Sequence, residues 1–218
     1  MHIQDGFMIG KWAAGWYGVS AVFAAKGIYD IKKRSREIQM FKPLLGLFSA
    51  AVFFISLLPV PLPGLGTSSH AAGTPLAAIL AGPYVTTVLS IIALLLQAAF
   101  FGHGGFTTLG ANTFSMGVVG SFAGFGLFRL GRKMGLSLGM AACIAAIFGD
   151  LAVYVTTSFQ LAYGGLQQMS VMTFIWVYMP TQLPISILEG LVTGGMVRYI
   201  ARVRPDILVN LGINDSHK

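Results

Sequence analysis

From Pro43 to Phe128 the chain contains no Asp, Glu, Lys or Arg. A soluble domain needs a wet, charged surface, and ordinary domains draw about a quarter of their residues from the charged set. Here charged residues make up 10% and hydrophobic ones 55% of 218 residues. A bilayer offers no water to unpaired backbone groups, so long uncharged apolar runs must bond internally, as helices. The expected class is all-α, a polytopic membrane protein. It reads as a single domain over residues 1–218 with a polar C-terminal tail from about residue 203. The net charge of +7 raises the question of a nucleic-acid partner, but its distribution argues against one. The cations lie in short clusters between apolar runs, as membrane-flanking loops do. The single Cys143 allows no disulfide within the chain and reads as a small packed residue.

Hydropathy and breakers predict seven crossings. The first runs from about Trp12 to Asp30, with Trp12, Trp16 and Tyr17 as an interfacial belt, and ends in Lys32-Lys33-Arg34-Ser35-Arg36. The second is Pro43 to Pro59. A Pro- and Gly-rich loop from Val60 to His70 follows. Thr74 to Ala81 is short for a span and reads as a short or tilted helix inside the bundle, stopped by Gly82-Pro83. Tyr84 to Phe101 crosses back to a second loop, Gly102 to Asn112. Thr113 to Phe128 and Leu138 to Leu161 are the fifth and sixth spans. The last helix ends near Tyr199, with Pro180 and Pro184 predicted to kink or start it. Seven crossings with the N-terminus outside put every basic cluster, and the C-terminus, in the cytoplasm. Gly120-x-x-x-Gly124 and Gly190-x-x-x-Gly194 permit close helix contact and read as internal packing.

The opening Met1-His2-Ile3-Gln4-Asp5-Gly6 is the main chemical feature. No leader is expected ahead of it, and a bulky second residue normally leaves the initiator Met in place. A free α-amine beside an imidazole is a chelate. The amine, the His2 backbone nitrogen and His2 Nδ1 close two rings on a divalent cation, a set suited to Ni(II) or Cu(II). His70, on a loop facing the same compartment, can add a nitrogen. His103 is either an alternative ligand or an outer residue that orients another group, and the second role is favoured. Asn112, Ser68 and Ser69 are candidate outer-shell donors or acceptors. Asp5 either holds the N-terminal loop or caps the first helix. His217 reads as a solvated tail residue. Asp150 and Glu189 lie in apolar segments, where carboxylates are costly. They are expected to pair with neighbours such as Thr156 or Gln182, with a proton relay as the alternative. Signals for catalysis or ATP hydrolysis are absent: Gly126 to Arg132 imitates half of a phosphate loop but lacks the Lys-Ser/Thr end.

Several runs together resemble the CbiM/NikM family. They are Met1-His2-Ile3-x-Asp5-Gly6, Ser68-Ser69-His70-x-x-Gly73-Thr74 through Gly82-Pro83, and His103-Gly104-Gly105-x-Thr107-Thr108-Leu109-Gly110-Ala111-Asn112-x-Phe114-Ser115-Met116. The resemblance continues through Gly149-Asp150-Leu151-Ala152-x-Tyr154-Val155-Thr156-Thr157-Ser158 and Thr181-Gln182-x-Pro184 to Glu189-Gly190, over nearly the whole chain. These are the metal-binding S components of energy-coupling-factor transporters. The resemblance implies a six-helix core with one extra N-terminal helix that delivers the first residues to the pocket. It also implies metal ligation by Met1, His2 and His70, and transport of Co(II) or Ni(II) as substrate, with no catalytic cofactor. The implied partners are a transmembrane T component, two cytoplasmic ATP-binding subunits and a small accessory membrane subunit. The same resemblance implies that metal is released inside when the S component topples, and that cobalt uptake supplies cobalamin synthesis. His103-Gly104-Gly105 and the Gly149-to-Ser158 run are similar to the cobalt branch, whereas Gln4-Asp5 departs from it and leans to nickel. The reading adopted is cobalt, with nickel uptake or an ATP-independent channel or carrier as alternatives. A membrane-embedded enzyme or structural bundle is the remaining rival, and it requires no metal dependence on His2.

Overall fold

A computed structural model of the chain describes residues 2–62 and 64–213. Met1 and His217 lie outside the described residues. The chain is mostly helical. In order come α1 (Gly10–Glu37), α2 (Phe41–Ile55), a hairpin of β1 (Val60–Leu62) and β2 (Thr67–Ser69), α3 (Thr74–Ala81) and α4 (Pro83–Phe101). Then follow α5 (Leu109–Lys133), α6 (Leu138–Gly164), α7 (Val171–Val203) and α8 (Pro205–Asn210). Among the described residues, α4, α5, α6 and α7 are long and apolar enough to cross a membrane.

The helices occupy the predicted segments, with instructive shifts at their ends. α1 runs to Glu37, through the basic cluster that the sequence reading placed in a loop. Lys and Arg are good helix formers, and cations in a last turn suit the helix dipole. α7 begins at Val171 and continues through both Pro180 and Pro184, so neither starts it. Ser170 caps it, accepting the Thr173 N–H at 3.1 Å. A proline gives up one backbone bond, which neighbouring side chains in a bundle can offset. α5 begins at Leu109, four residues before the expected start, and its turns from Thr113 to Gly120 are π-helical. This puts Asn112 on a helix rather than in a loop. Within the stretch read as a polar tail, Pro205–Asn210 form α8, which buries Leu208.

α3 occupies the centre. All eight of its residues are buried, because α2, α4, α5 and α6 surround it. Close approach depends on small residues. A Cβ on Gly124 would stand 2.8 Å from Pro75 Cβ, and one on Gly149 3.1 Å from Gly124 Cα, so α3, α5 and α6 meet nearly backbone to backbone. Gly190 and Gly194 likewise pack on Cys143, Ile147 and Gly139 of α6. Both small-residue motifs therefore serve internal packing. Two apolar clusters divide the interior. One, with Ile3, Met116, Tyr154, Phe174 and Tyr178, lies under the N-terminal segment. The other, with Phe41, Ile79, Phe128 and Val197, includes Leu208 of α8.

The three-helix contact gives a direct test. Gly124→Leu must push α5 off Pro75, an overpacking cost of about 1–3 kcal/mol. It is expected to lower the melting temperature in detergent. Gly126→Leu, whose Cβ meets nothing within 4 Å, is expected to leave it unchanged.

Candidate metal centre

Residues 2–9 approach the bundle with a turn at Asp5-Gly6 and are bonded to three separate segments of the chain. Ile3 is held by Asn112, which accepts the Ile3 N–H at 2.8 Å and donates to the Ile3 carbonyl at 3.1 Å. Thr108 donates to the same carbonyl at 2.5 Å. Gln4 N–H donates to the Gly66 carbonyl at 2.9 Å, and Ile9 N–H to Gly164 at 2.8 Å. Asp5 accepts from the backbone of Phe106 (3.1 Å) and Thr107 (2.8 Å) and from the Thr107 hydroxyl (2.5 Å). Asp5 thus holds the N-terminal loop. The position ahead of α1 is Ile9, with no side-chain cap. Burial pushes the Asp5 carboxyl up, but the Thr107 and Phe106 bonds outweigh it and leave it below the usual carboxylate range.

This threading carries His2 into the protein beside His70 and His103. His2 and His70 are each 1% exposed and His103 8%. His2 Nδ1 lies 2.6 Å from His70 Nε2 and 3.1 Å from His103 Nε2. The His2 and His70 rings stack at 4.4 Å, while His103 stands edge-on to both. One donor nitrogen from each ring falls within 4.8 Å of the others. Imidazole–metal bonds are about 2.0–2.1 Å, so neighbouring corners of a coordination square lie roughly 2.8–3.0 Å apart. The two His2 contacts, at 2.6 and 3.1 Å, fall just to either side of that spacing.

The surroundings fix the tautomer of His70. His70 Nδ1 lies 2.8 Å from the Ala71 carbonyl and must carry its proton there, which leaves a lone pair on Nε2 aimed at His2. Ser68 Oγ is 3.0 Å from His103 Nε2. His2 Nδ1 has one proton at most to share between two ring nitrogens, so lone pairs converge on one spot, an arrangement a cation relieves. Burial lowers all three imidazole pKa values, to about 4 for His103, and for His2 the charges of His70 and His103 lower it further. A buried neutral imidazole disfavours its own protonation. The packed site therefore holds fewer protons than an undocked one below pH 6.5, and docking weakens as pH falls from there toward 4.

The remaining candidates form an outer layer. Ser69 bonds Thr181 at 2.7 Å rather than a histidine. Tyr154, which sequence reasoning passed over, accepts the His70 N–H at 2.8 Å and donates to the His70 carbonyl at 2.9 Å. A tyrosine inside an apolar helix needs a partner for its hydroxyl, and that requirement was the available signal. Gln182 donates to Asp150 and, at 3.4 Å, to the His70 carbonyl. Glu189 meets no hydroxyl. It accepts the N–H groups of Ala72 (2.7 Å) and Gly73 (2.8 Å), just ahead of α3. A carboxylate there suits the positive end of the helix dipole. Gly104, at φ 86°, allows the close pass over His2 and Asn112: a Cβ would sit 3.4 Å from both side chains in a conformation L residues avoid. A Cβ on Gly105 would collide with Asp5. The structure thus gathers His2, His70, His103, Ser68, Asn112 and Asp5 at one place, with Asp150 and Glu189 behind the loop that carries His70.

Comparison with known proteins gives a consistent picture. The family described as "Cobalt uptake substrate-specific transmembrane region" (CbiM) matches residues 2–207. The cobalt transport protein CbiM of Geobacter sulfurreducens is 46% identical over 220 residues, which take in 99% of this chain and 64% of that relative. The chain thus spans less than two thirds of that protein's length. The cobalt transport protein CbiM of Sorangium cellulosum is 41% identical over 217 residues, 98% of this chain and 96% of that one. A crystal structure of a truncated transition metal transporter superposes with a TM-score of 0.85 at 28% identity, covering 93% of this chain and 99% of its own.

The hold on Ile3 can be broken selectively. Asn112→Ala leaves the buried Ile3 N–H without its partner, a loss of about 1–3 kcal/mol, or about 5- to 150-fold in local opening. Hydrogen exchange of residues 2–8 is expected to accelerate by that factor while the helices keep their protection. Unchanged exchange would show that Asn112 does not hold the segment.

Proposed function

The chain belongs to the CbiM family of cobalt-uptake substrate-specific transmembrane regions, and from that premise we propose that it is the metal-capturing component of an energy-coupling-factor uptake transporter. Its substrate is Co(II), taken from outside and delivered to the cytoplasm for cobalamin synthesis. The observation that carries the reading is the convergence of buried His2, His70 and His103 nitrogens within 4.8 Å of one another. The Met1 amine and the His2 backbone and ring nitrogens close a chelate, and His70 Nε2 completes a four-nitrogen set. His103, held by Ser68, orients His2 and stands ready as a further ligand.

Seven crossings, α1 to α7, with the N-terminus outside fit the arrangement of charge. Lys33 and Arg34 of α1 line one cavity with Arg129, Arg132 and Lys133 of α5. Arg198 and Arg202 line another beside Ser137. The basic clusters thus share one end of the bundle, as cytoplasmic positions do. No ATP-binding signature occurs in the sequence, so a T component, two ATP-binding subunits and a small accessory membrane subunit supply the energy and the partner surfaces. Nickel fits the same ligands, and a given nitrogen site binds it more tightly. Two observations favour cobalt. The residue that resembles the cobalt branch, His103, sits in the cluster. Asp5, the residue that leans toward nickel, is accounted for by its bonds to Phe106 and Thr107.

Metal content of the purified protein tests the proposal. Native protein is expected to hold one Co(II), while His2→Ala and a form with residues added before Met1 hold none. Full loading of the extended form would remove the amine from the site. The same titration run against pH separates the ligands. The amine, with an ordinary pKa of about 7.7–8.0, must lose its proton to bind. Affinity is therefore expected to fall about tenfold or more per pH unit below that value, well above the pH at which the buried histidines protonate. Affinity flat between pH 8 and 5 would contradict amine ligation.

A further inference from the structure

At the end of the bundle away from the histidines is a cavity of about 920 Å³. The end of α1, the α3–α4 junction, the end of α5 and residues 210–213 bound it. Among the described residues, its wall carries Lys33, Arg34, Arg129, Arg132 and Lys133 together with Asp30 and Glu37. Asp30 is already paired with Lys26. With Arg132 left aside, the described cations still outnumber the described acids, and like charges held close together favour an entering anion.

The arginines are held in place rather than loose. Arg34 is half-buried, lies 4.3 Å over the Phe41 ring and donates to the Ala81 carbonyl. Arg132 donates to the Leu136 carbonyl at 2.8 Å. Arg129 lies 5.6 Å over Phe125. Guanidinium groups fixed in this way present planar forks suited to phosphate oxygens. The first turn of the 19-residue α4, at Pro83, Tyr84 and Val85, opens into the same space and adds its dipole. The rest of the wall is apolar, with Ile79, Phe125 and Phe128.

From this combination we infer that the cavity binds the phosphodiester headgroup of an anionic phospholipid, its phosphate among Arg34, Arg129 and Lys133 and its first acyl carbons against the phenylalanines. A free phosphate satisfies the cations but leaves the apolar wall wet, and a zwitterionic lipid leaves the charge surplus standing. Basic pockets between helices on the cytoplasmic side recognise anionic headgroups in this way. The choice of leaflet rests on the orientation proposed above; the ligand chemistry does not. The site lies in the second apolar cluster, apart from the one under the histidines, so its failure and failure of metal capture are distinguishable.

The test titrates delipidated, metal-loaded protein in detergent with short-chain phosphatidylglycerol, phosphatidylcholine or glycerol 3-phosphate, reading bound stoichiometry by native mass spectrometry and melting temperature. One phosphatidylglycerol is expected to bind and raise the melting temperature, with at least tenfold weaker binding of the other two. Arg34→Gln with Arg129→Gln is expected to cut phosphatidylglycerol affinity at least tenfold and leave cobalt content intact. Because Arg34 packs on Phe41, Arg129→Gln with Lys133→Gln provides a second pair that disturbs no core contact. Equal retention of both lipids, or native affinity in both variants, would overturn the inference. Glycerol 3-phosphate binding as tightly as the lipid would assign the cavity to a soluble phosphate instead. Exclusion of all three, with the cavity filled only when partner subunits are added, would assign it to protein docking.

Discussion

The chain end at residues 2–9, bonded to three separate segments, is the contact on which the site depends. A peptide end in water has many conformations, and fixing each residue costs about 1–2 kcal/mol. The protein offsets that cost with backbone-directed hydrogen bonds at nearly every step: Asn112 and Thr108 to Ile3, Gly66 to Gln4, the 106–107 amides to Asp5, and Gly164 to Ile9. Burial of Ile3 adds an apolar anchor. With Ile3 and Asp5 fixed on either side of the loop at 103–105, His2 has little freedom left. Its imidazole is delivered where burial would otherwise make a titratable ring costly.

The bundle supports the opposing ligand by a separate device. Tyr154 grips both backbone groups of His70, and Glu189 grips the next two amides, those of Ala72 and Gly73. The loop bearing His70 is thereby tied to α6 and α7 before α3 dives into the core. The two buried carboxylates of the apolar segments thus have structural partners, Asp150 through Gln182 and Glu189 through α3's leading amides. Both sit behind the metal loop and hold its backbone, Glu189 directly and Asp150 through Gln182.

Much of this was legible in the sequence because bilayer chemistry is unforgiving. Hydropathy and Gly-Pro breaks located α1 to α7 but not α8, which lies in the stretch read as a polar tail, and Thr74–Ala81 fell where Gly73 and Gly82 bracket it. His2 and His70 were readable as a pair from ligand chemistry. What stayed hidden depends on non-local geometry. The π-helical turns that follow Asn112 leave no local signature. Pro180 and Pro184 look like breakers until packing offsets their missing bonds. His103 reads as an orienting residue from its glycine neighbours, and only the fold places its Nε2 3.1 Å from His2. The glycines themselves have a steric reason that sequence alone does not give: Gly104 and Gly105 let His2 and Asp5 pass.

X-ray absorption at the cobalt edge of the loaded native protein probes this chain end most directly. The account predicts a first shell of nitrogens at about 2.0–2.1 Å, with the outer-shell scattering of at least two imidazole rings, one of them lost in His70→Ala. A shell of oxygens with no imidazole scattering, unchanged by that substitution, would contradict it.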